Sequence, residues 1–222
     1  MKPLIAARAL WSFVRLVRDP NRLDEVFAFS DQLVGTQSEM LKQMVEHVRQ
    51  TPHGARALQQ KPRLVLRLDE LGAYPQSSLA RAYADFLRAR GLKPENIPSL
   101  AAPDEQSYVR AHLYETHDLW HVVTGFDTDV AGELGLQAFY AAQLPGKLPI
   151  ALLTMGFINT LLYAWNDRDR RLTSIAHGHT LGKRARSLFG TDWAGLWATP
   201  LGEVREQLGL DEATANPLAL AG

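Results

Sequence analysis

An all-α fold, a single-domain multi-helix bundle, is what this 222-residue sequence predicts. Three observations carry that expectation. Apolar residues recur at three- and four-residue spacing in nearly every segment, and capping residues and Gly or Pro stops fall at helix-length intervals. No stretch shows the strict alternation that a half-buried strand needs. Without an internal repeat, low-complexity tract or linker, residues 1–222 read as one domain, a length one core can support.

Taken in order, residues 1–20 read as an amphipathic helix with Leu4, Ala7, Leu10, Trp11, Val14 and Val17 on one side and Lys2, Arg8, Arg15 and Arg18 as its basic residues. Arg8 and Arg15 interrupt the apolar run a secretory signal requires. Such a helix either docks on the core or lies on a membrane surface. Asn21 caps a run through Val34, and Thr36 with Glu39 forms a capping box for a helix ending before Pro52. Pro52 to Pro62 reads as a turn-rich link and Arg63 to Leu68 as extended. Ser77 or Ser78 starts a helix carrying Leu79, Tyr83, Phe86 and Leu87, closed by Gly91. Lys93 to Pro103 is a loop. Asp104 opens a long helix stopped at Gly125, and Thr128 caps the next, which stops at Pro145-Gly146.

Leu148 to Trp165 carries no charge over eighteen residues. Spanning a bilayer takes about 20 apolar residues, and Pro149, Thr154, Asn159 and Thr160 weaken the run, so it reads as a buried helix lining an apolar cavity. No transmembrane segment is predicted. Asp167 leads into a basic helix through Arg186, Thr199-Pro200 starts a last helix ended by Gly209, and residues 211–222 form a flexible tail.

Twenty-four basic residues balance twenty-four acidic ones, a neutrality that argues against nucleic acid as a partner. The absence of cysteine excludes disulfides, iron–sulfur clusters, thiol catalysis and zinc fingers. A metal site must then use histidines and carboxylates, and His112, His117 and His121 fall within ten residues. His117 and His121 lie one turn apart on one helix face, the spacing at which two imidazoles can share an ion. Asp118 sits about 100° round the helix, where it can be a ligand, orient one, or act as a base. Glu133 opens the next helix across a short link, and helices so joined usually run antiparallel, which would return Glu133 towards His121. It is the lone charged side chain from Val130 to Gly146. A buried carboxylate is costly unless it is paired or bound to a cation. The residues alone leave two explanations, a metal site or a structural cluster in which Glu133 pairs with Arg110 or Lys147.

Two histidines with one or two carboxylates suit zinc, with manganese, iron and cobalt also open. The pattern is not the His-Glu-x-x-His of zinc peptidases. No Gly-x-Ser-x-Gly elbow, phosphate loop or dinucleotide fingerprint appears.

His117-Asp118-Leu119-Trp120-His121, followed after eleven residues by Glu133, resembles the His-Asp-x-x-His-x(11)-Glu motif of the coenzyme Q biosynthesis protein 4 family. Arg81 to Phe86 with Gly91 and Pro94, the Gly54-Ala55-Arg56 link, and Gly182 to Arg186 with Trp193 extend the resemblance over residues 35–210. The Phe189-Gly190-Thr191 segment follows the family pattern loosely. The resemblance implies an all-α homodimer holding a divalent metal, zinc foremost, through His117, Asp118, His121 and Glu133. It implies a place in ubiquinone biosynthesis: the metal-dependent oxidative decarboxylation of a prenylated hydroxybenzoate-derived precursor, whose ring carboxylate is replaced by a hydroxyl. Asp118, His117, His121 and Glu133 would then be the catalytic set. Zinc supplies no electrons, so this outcome needs dioxygen activated by the substrate or a redox metal. The alternative is a prenyl-quinone-binding scaffold of a ubiquinone biosynthetic complex in which the metal is structural. Implied partners are the prenylated quinone precursor, other ubiquinone biosynthesis proteins and the membrane surface, with no nucleic acid. The implied location is cytoplasmic at the inner membrane in a bacterium, or the matrix side of the mitochondrial inner membrane in a eukaryote.

Overall fold

The structure, a computed structural model, describes residues 14–19, 29, 39–93 and 100–210. All regular secondary structure among these residues is helical, the one β contact being an isolated bridge between Ser78 and Pro200. The chain divides into two compact units, one of residues up to Gln43 with Asp127–Lys183, the other of Met44–Phe126 with the segment from Arg184.

The second unit holds the part of α1 (Glu39–Arg49) from Met44 on, then α2 (Pro52–Gln60), α3 (Leu68–Gly72), α4 (Leu79–Ala89), α5 (Glu105–Thr124) and, near the chain end, α9 (Leu201–Leu208). Helix α5 is its axis. It begins where the sequence predicts, with Asp104 accepting from the Ser107 amide at 2.8 Å and Ser107 Oγ accepting in return from the Asp104 amide. Its buried residues include Tyr108, Val109, His112, Glu115, Leu119, Trp120 and His121, and α2, α4 and α9 pack on it. Ser78 caps α4, accepting from the Arg81 amide.

Pro52–Gln60 corrects the expected turn-rich link: it is helix α2. Proline is harmless in a first turn, Thr51 Oγ1 accepts from the Gly54 amide, and Lys61 ends the helix at φ 48°, a left-handed stop taken without glycine. Arg63 and the Leu64 amide then bond to the Glu115 carboxylate, which fixes the following link to α5.

The first unit holds α6 (Val130–Gln143), α7 (Lys147–Tyr163) and α8 (Arg168–Arg184), the last two joined by a 3-10 turn at Trp165–Asp167. Asp129, one residue beyond the expected Thr128, caps α6 by accepting from the Gly132 amide at 2.8 Å. Helices α6 and α8 meet closely at Gly178, where a Cβ would stand 1.9 Å from the Gly135 carbonyl oxygen.

Helix α7 corrects the expectation of a buried helix. Its buried side mixes Leu153 and Met155 with Gly156, Asn159 and Thr160, while Ile150, Phe157, Leu161, Leu162 and Tyr163 are exposed. The polar groups face inward because they have buried partners: Asn159 donates to the Val17 carbonyl at 2.8 Å, and the buried Arg171 donates to Asn159 Oδ1 and Thr160 Oγ1. No helix of the described residues is long and apolar enough to cross a membrane. Of the amphipathic segment expected over residues 1–20, residues 14–18 are helical and Leu16 and Val17 are buried with Phe29 and Met155. Its Trp11 and Arg8, the Asn21 and Thr36 caps, Pro94 and the 211–222 tail lie outside the described residues.

Candidate metal centre

The histidine pair is set by the C-terminal half of α5. His117 and His121 project from one face with ring centroids 4.9 Å apart and planes nearly perpendicular, at 86°. His117 is half-buried and His121 buried. The helix stops because Gly125 takes φ 80°, a left-handed conformation that glycine adopts without a Cβ penalty, with its N–H bonded to the His121 carbonyl at 2.8 Å. Turning the chain there brings the Phe126 carbonyl to 3.1 Å from His121 Nδ1. A carbonyl only accepts, so Nδ1 carries a hydrogen, and in the neutral ring Nε2 is then the nitrogen that can bind a metal.

Two further elements support the pair. Phe86, on α4, stacks against the His121 ring with centroids 5.9 Å apart, and the Arg90 guanidinium covers Phe86 at 3.9 Å. From α9, Arg205 donates to the Val123 and Val122 carbonyls at 3.0 and 3.1 Å, satisfying acceptors that a helix end leaves open. Sequence reasoning missed both positioning residues, since each acts across elements far apart in the chain. Only the prominence of Phe86 on the apolar face of its helix pointed that way.

Glu133 is half-buried in the first turn of α6. Its place depends on the residue before it: a Cβ on Gly132 would lie 2.0 Å from the Asp127 carbonyl oxygen, so only glycine permits this tight entry into the helix. His117, His121 and Glu133 form a candidate metal-binding group, each offering one ligand atom, with those atoms all within 4.8 Å of one another. Asp118 is not in the group. It is half-buried on α5 and acts electrostatically on the Tyr83 phenol. An imidazole whose Nδ1 is engaged by a carbonyl, a second imidazole and a carboxylate fit a divalent cation by donor chemistry.

His112, the third histidine of the sequence cluster, belongs elsewhere. The Gly190 amide donates to its Nε2 at 3.3 Å, so its Nδ1–H faces Tyr108 Oη at 3.3 Å, and that hydroxyl donates to the Pro62 carbonyl at 3.2 Å. Burial pushes its pKa down to about 4, so it is neutral and structural.

Fold and donor set together define an all-helical protein with a His/His/Glu candidate metal centre. Known proteins narrow this class. A family described as coenzyme Q (ubiquinone) biosynthesis protein Coq4 matches residues 4–214, and the chain belongs to that family. It is 30% identical over 209 residues to the human mitochondrial ubiquinone biosynthesis protein COQ4 homolog, covering 92% of this chain and 76% of the relative. To the mitochondrial COQ4 homolog of Bos taurus it is 29% identical over the same shares. A crystal structure from Nostoc punctiforme, of a protein named for ubiquinone biosynthesis, superposes with a TM-score of 0.79 at 30% identity, covering 93% of this chain and 99% of the other. The family match is longer than the 35–210 resemblance expected from the sequence.

Proposed function

We propose that this chain acts on the ring of a prenylated hydroxybenzoate-derived ubiquinone precursor, whose carboxylate leaves as carbon dioxide while a hydroxyl takes the position. Water and dioxygen balance this two-electron oxidation, water giving the oxygen and dioxygen leaving as hydrogen peroxide. The observation that carries the reading is the His117/His121/Glu133 group within a Coq4-family chain. These three residues would hold one divalent metal, zinc foremost. When bound, such a cation supplies a Lewis acid for the substrate's carboxylate or phenolate oxygens. Glu133 would offset the cation's charge and His121 would bind it through Nε2, while Asp118, next to His117 on α5, is the group proposed to hold or move a proton at a ring oxygen or carbon. Phe86 and the buried surface around it exclude water from the His121 side.

The substrate's prenyl tail stays in a bilayer, so the protein must meet a membrane surface. The exposed apolar residues of α7, with Trp165 at its end and Arg168 over the Trp165 ring at 5.0 Å, support such contact. The test is a strain lacking this gene, complemented with the parent or with His117→Ala or Glu133→Ala. Carboxylated precursors should accumulate with the empty vector and both variants but not with the parent. Full ubiquinone production by both variants refutes the reading.

A further inference from the structure

Tyr83 is fully buried on α4, which packs on α5, and its ring lies parallel to Trp197 with centroids 6.1 Å apart and planes at 7°. The stack fixes the ring, yet the phenolic oxygen is buried and has no hydrogen-bond partner among the described residues. A buried hydroxyl without an acceptor destabilises a fold that phenylalanine would serve as well, and such groups call for an explanation. Its surroundings supply one. One turn further along α4, Phe86 stacks on His121, and Asp118, next to His117, lies near enough to influence the phenol. The idle donor therefore borders the part of α5 that carries the histidine pair.

We infer that the Tyr83 hydroxyl is a substrate-binding donor, its hydrogen bond completed by an anionic oxygen of the bound ring, carboxylate or phenolate. Burial and the neighbouring carboxylate both favour the protonated phenol, so Tyr83 serves as a donor and not as a base. A bond from a neutral hydroxyl to an anionic oxygen is charge-assisted and stronger than one to water. It also fixes the ring's orientation, since the Tyr83 ring is held by Trp197. The inference rests on the proposed ring substrate, and its test separates the two.

The experiment uses the full zinc-loaded chain and its Tyr83→Phe variant, titrated calorimetrically with 3-farnesyl-4-hydroxybenzoate and with farnesylbenzene, which has the tail and no oxygen. The variant should bind the hydroxybenzoate roughly tenfold or more weakly and farnesylbenzene equally well. Its zinc content should be unchanged and its Tm equal or higher, because an unsatisfied hydroxyl has been removed. Equal affinity of parent and variant for the hydroxybenzoate overturns the inference and leaves the proposed function standing. A lowered Tm also overturns it, by showing the hydroxyl already bonded within the free protein, and so does parallel weakening of both ligands. Failure of the parent to bind the hydroxybenzoate removes the proposed substrate, and the inference with it.

Discussion

A single ring nitrogen illustrates how much of the centre is decided by one residue at a time. The Phe126 carbonyl engages His121 at Nδ1, which leaves Nε2 as the candidate ligand atom. Purified His117→Ala and Glu133→Ala proteins should therefore keep their helical circular dichroism while losing bound zinc, with affinity reduced at least tenfold by metal titration. His112, by contrast, should govern acid stability. Its folded pKa, about 4, lies below the ordinary value near 6.5, so the unfolded chain takes a proton first as pH falls. Its contribution is complete above about pH 6.5 and is lost between there and pH 4, about 3 kcal/mol in all. Urea unfolding at pH 7 and pH 4.5 should show that slope, and His112→Gln should flatten it. The His-Asp-x-x-His spacing and the isolation of Glu133 were legible in the sequence because they are local. The roles of Phe86, Tyr83 and Arg205 were not, because each is defined by a partner at least 35 residues away.

Among the elements, caps and stops were read closely from local chemistry: Asp104, Ser78, Gly125 and Gly209 stand at the expected helix ends. The two misread elements share a cause. Helix α2 was hidden by prolines whose disruptive effect depends on position within a turn, and α7 by the assumption that uncharged means buried. In α7 hydrogen bonding to Arg171 and Val17 draws Asn159 and Thr160 inward beside Leu153 and Met155, and Ile150, Phe157, Leu161 and Leu162 are left outward. If that face meets lipid, a Leu161→Glu, Leu162→Glu double variant should lose most flotation with anionic liposomes while its Tm stays within a few degrees of the parent, exposed positions being tolerant. Equal flotation would remove α7 from the membrane contact. Gly178→Ala should do the opposite, lowering stability by roughly 2 kcal/mol or more, because its Cβ collides with backbone.

For the molecule as a whole, a bound ion stabilises the native state by mass action, since the unfolded chain lacks the assembled ligands. Chelation should lower Tm by roughly 5 °C, and added zinc should restore it in the parent but not in His121→Ala. The all-helical class and the family were evident from the sequence, because periodicity and the His-Asp-x-x-His spacing are local patterns. Gly125 carries a genetic consequence. The left-handed turn that ends α5 also delivers the carbonyl that holds the His121 ring, so one backbone dihedral serves both the fold and the candidate metal group. A screen for loss of ubiquinone should return alleles at this glycine beside those at the histidines. Their products should be soluble, poorly metallated proteins in which every ligand is intact.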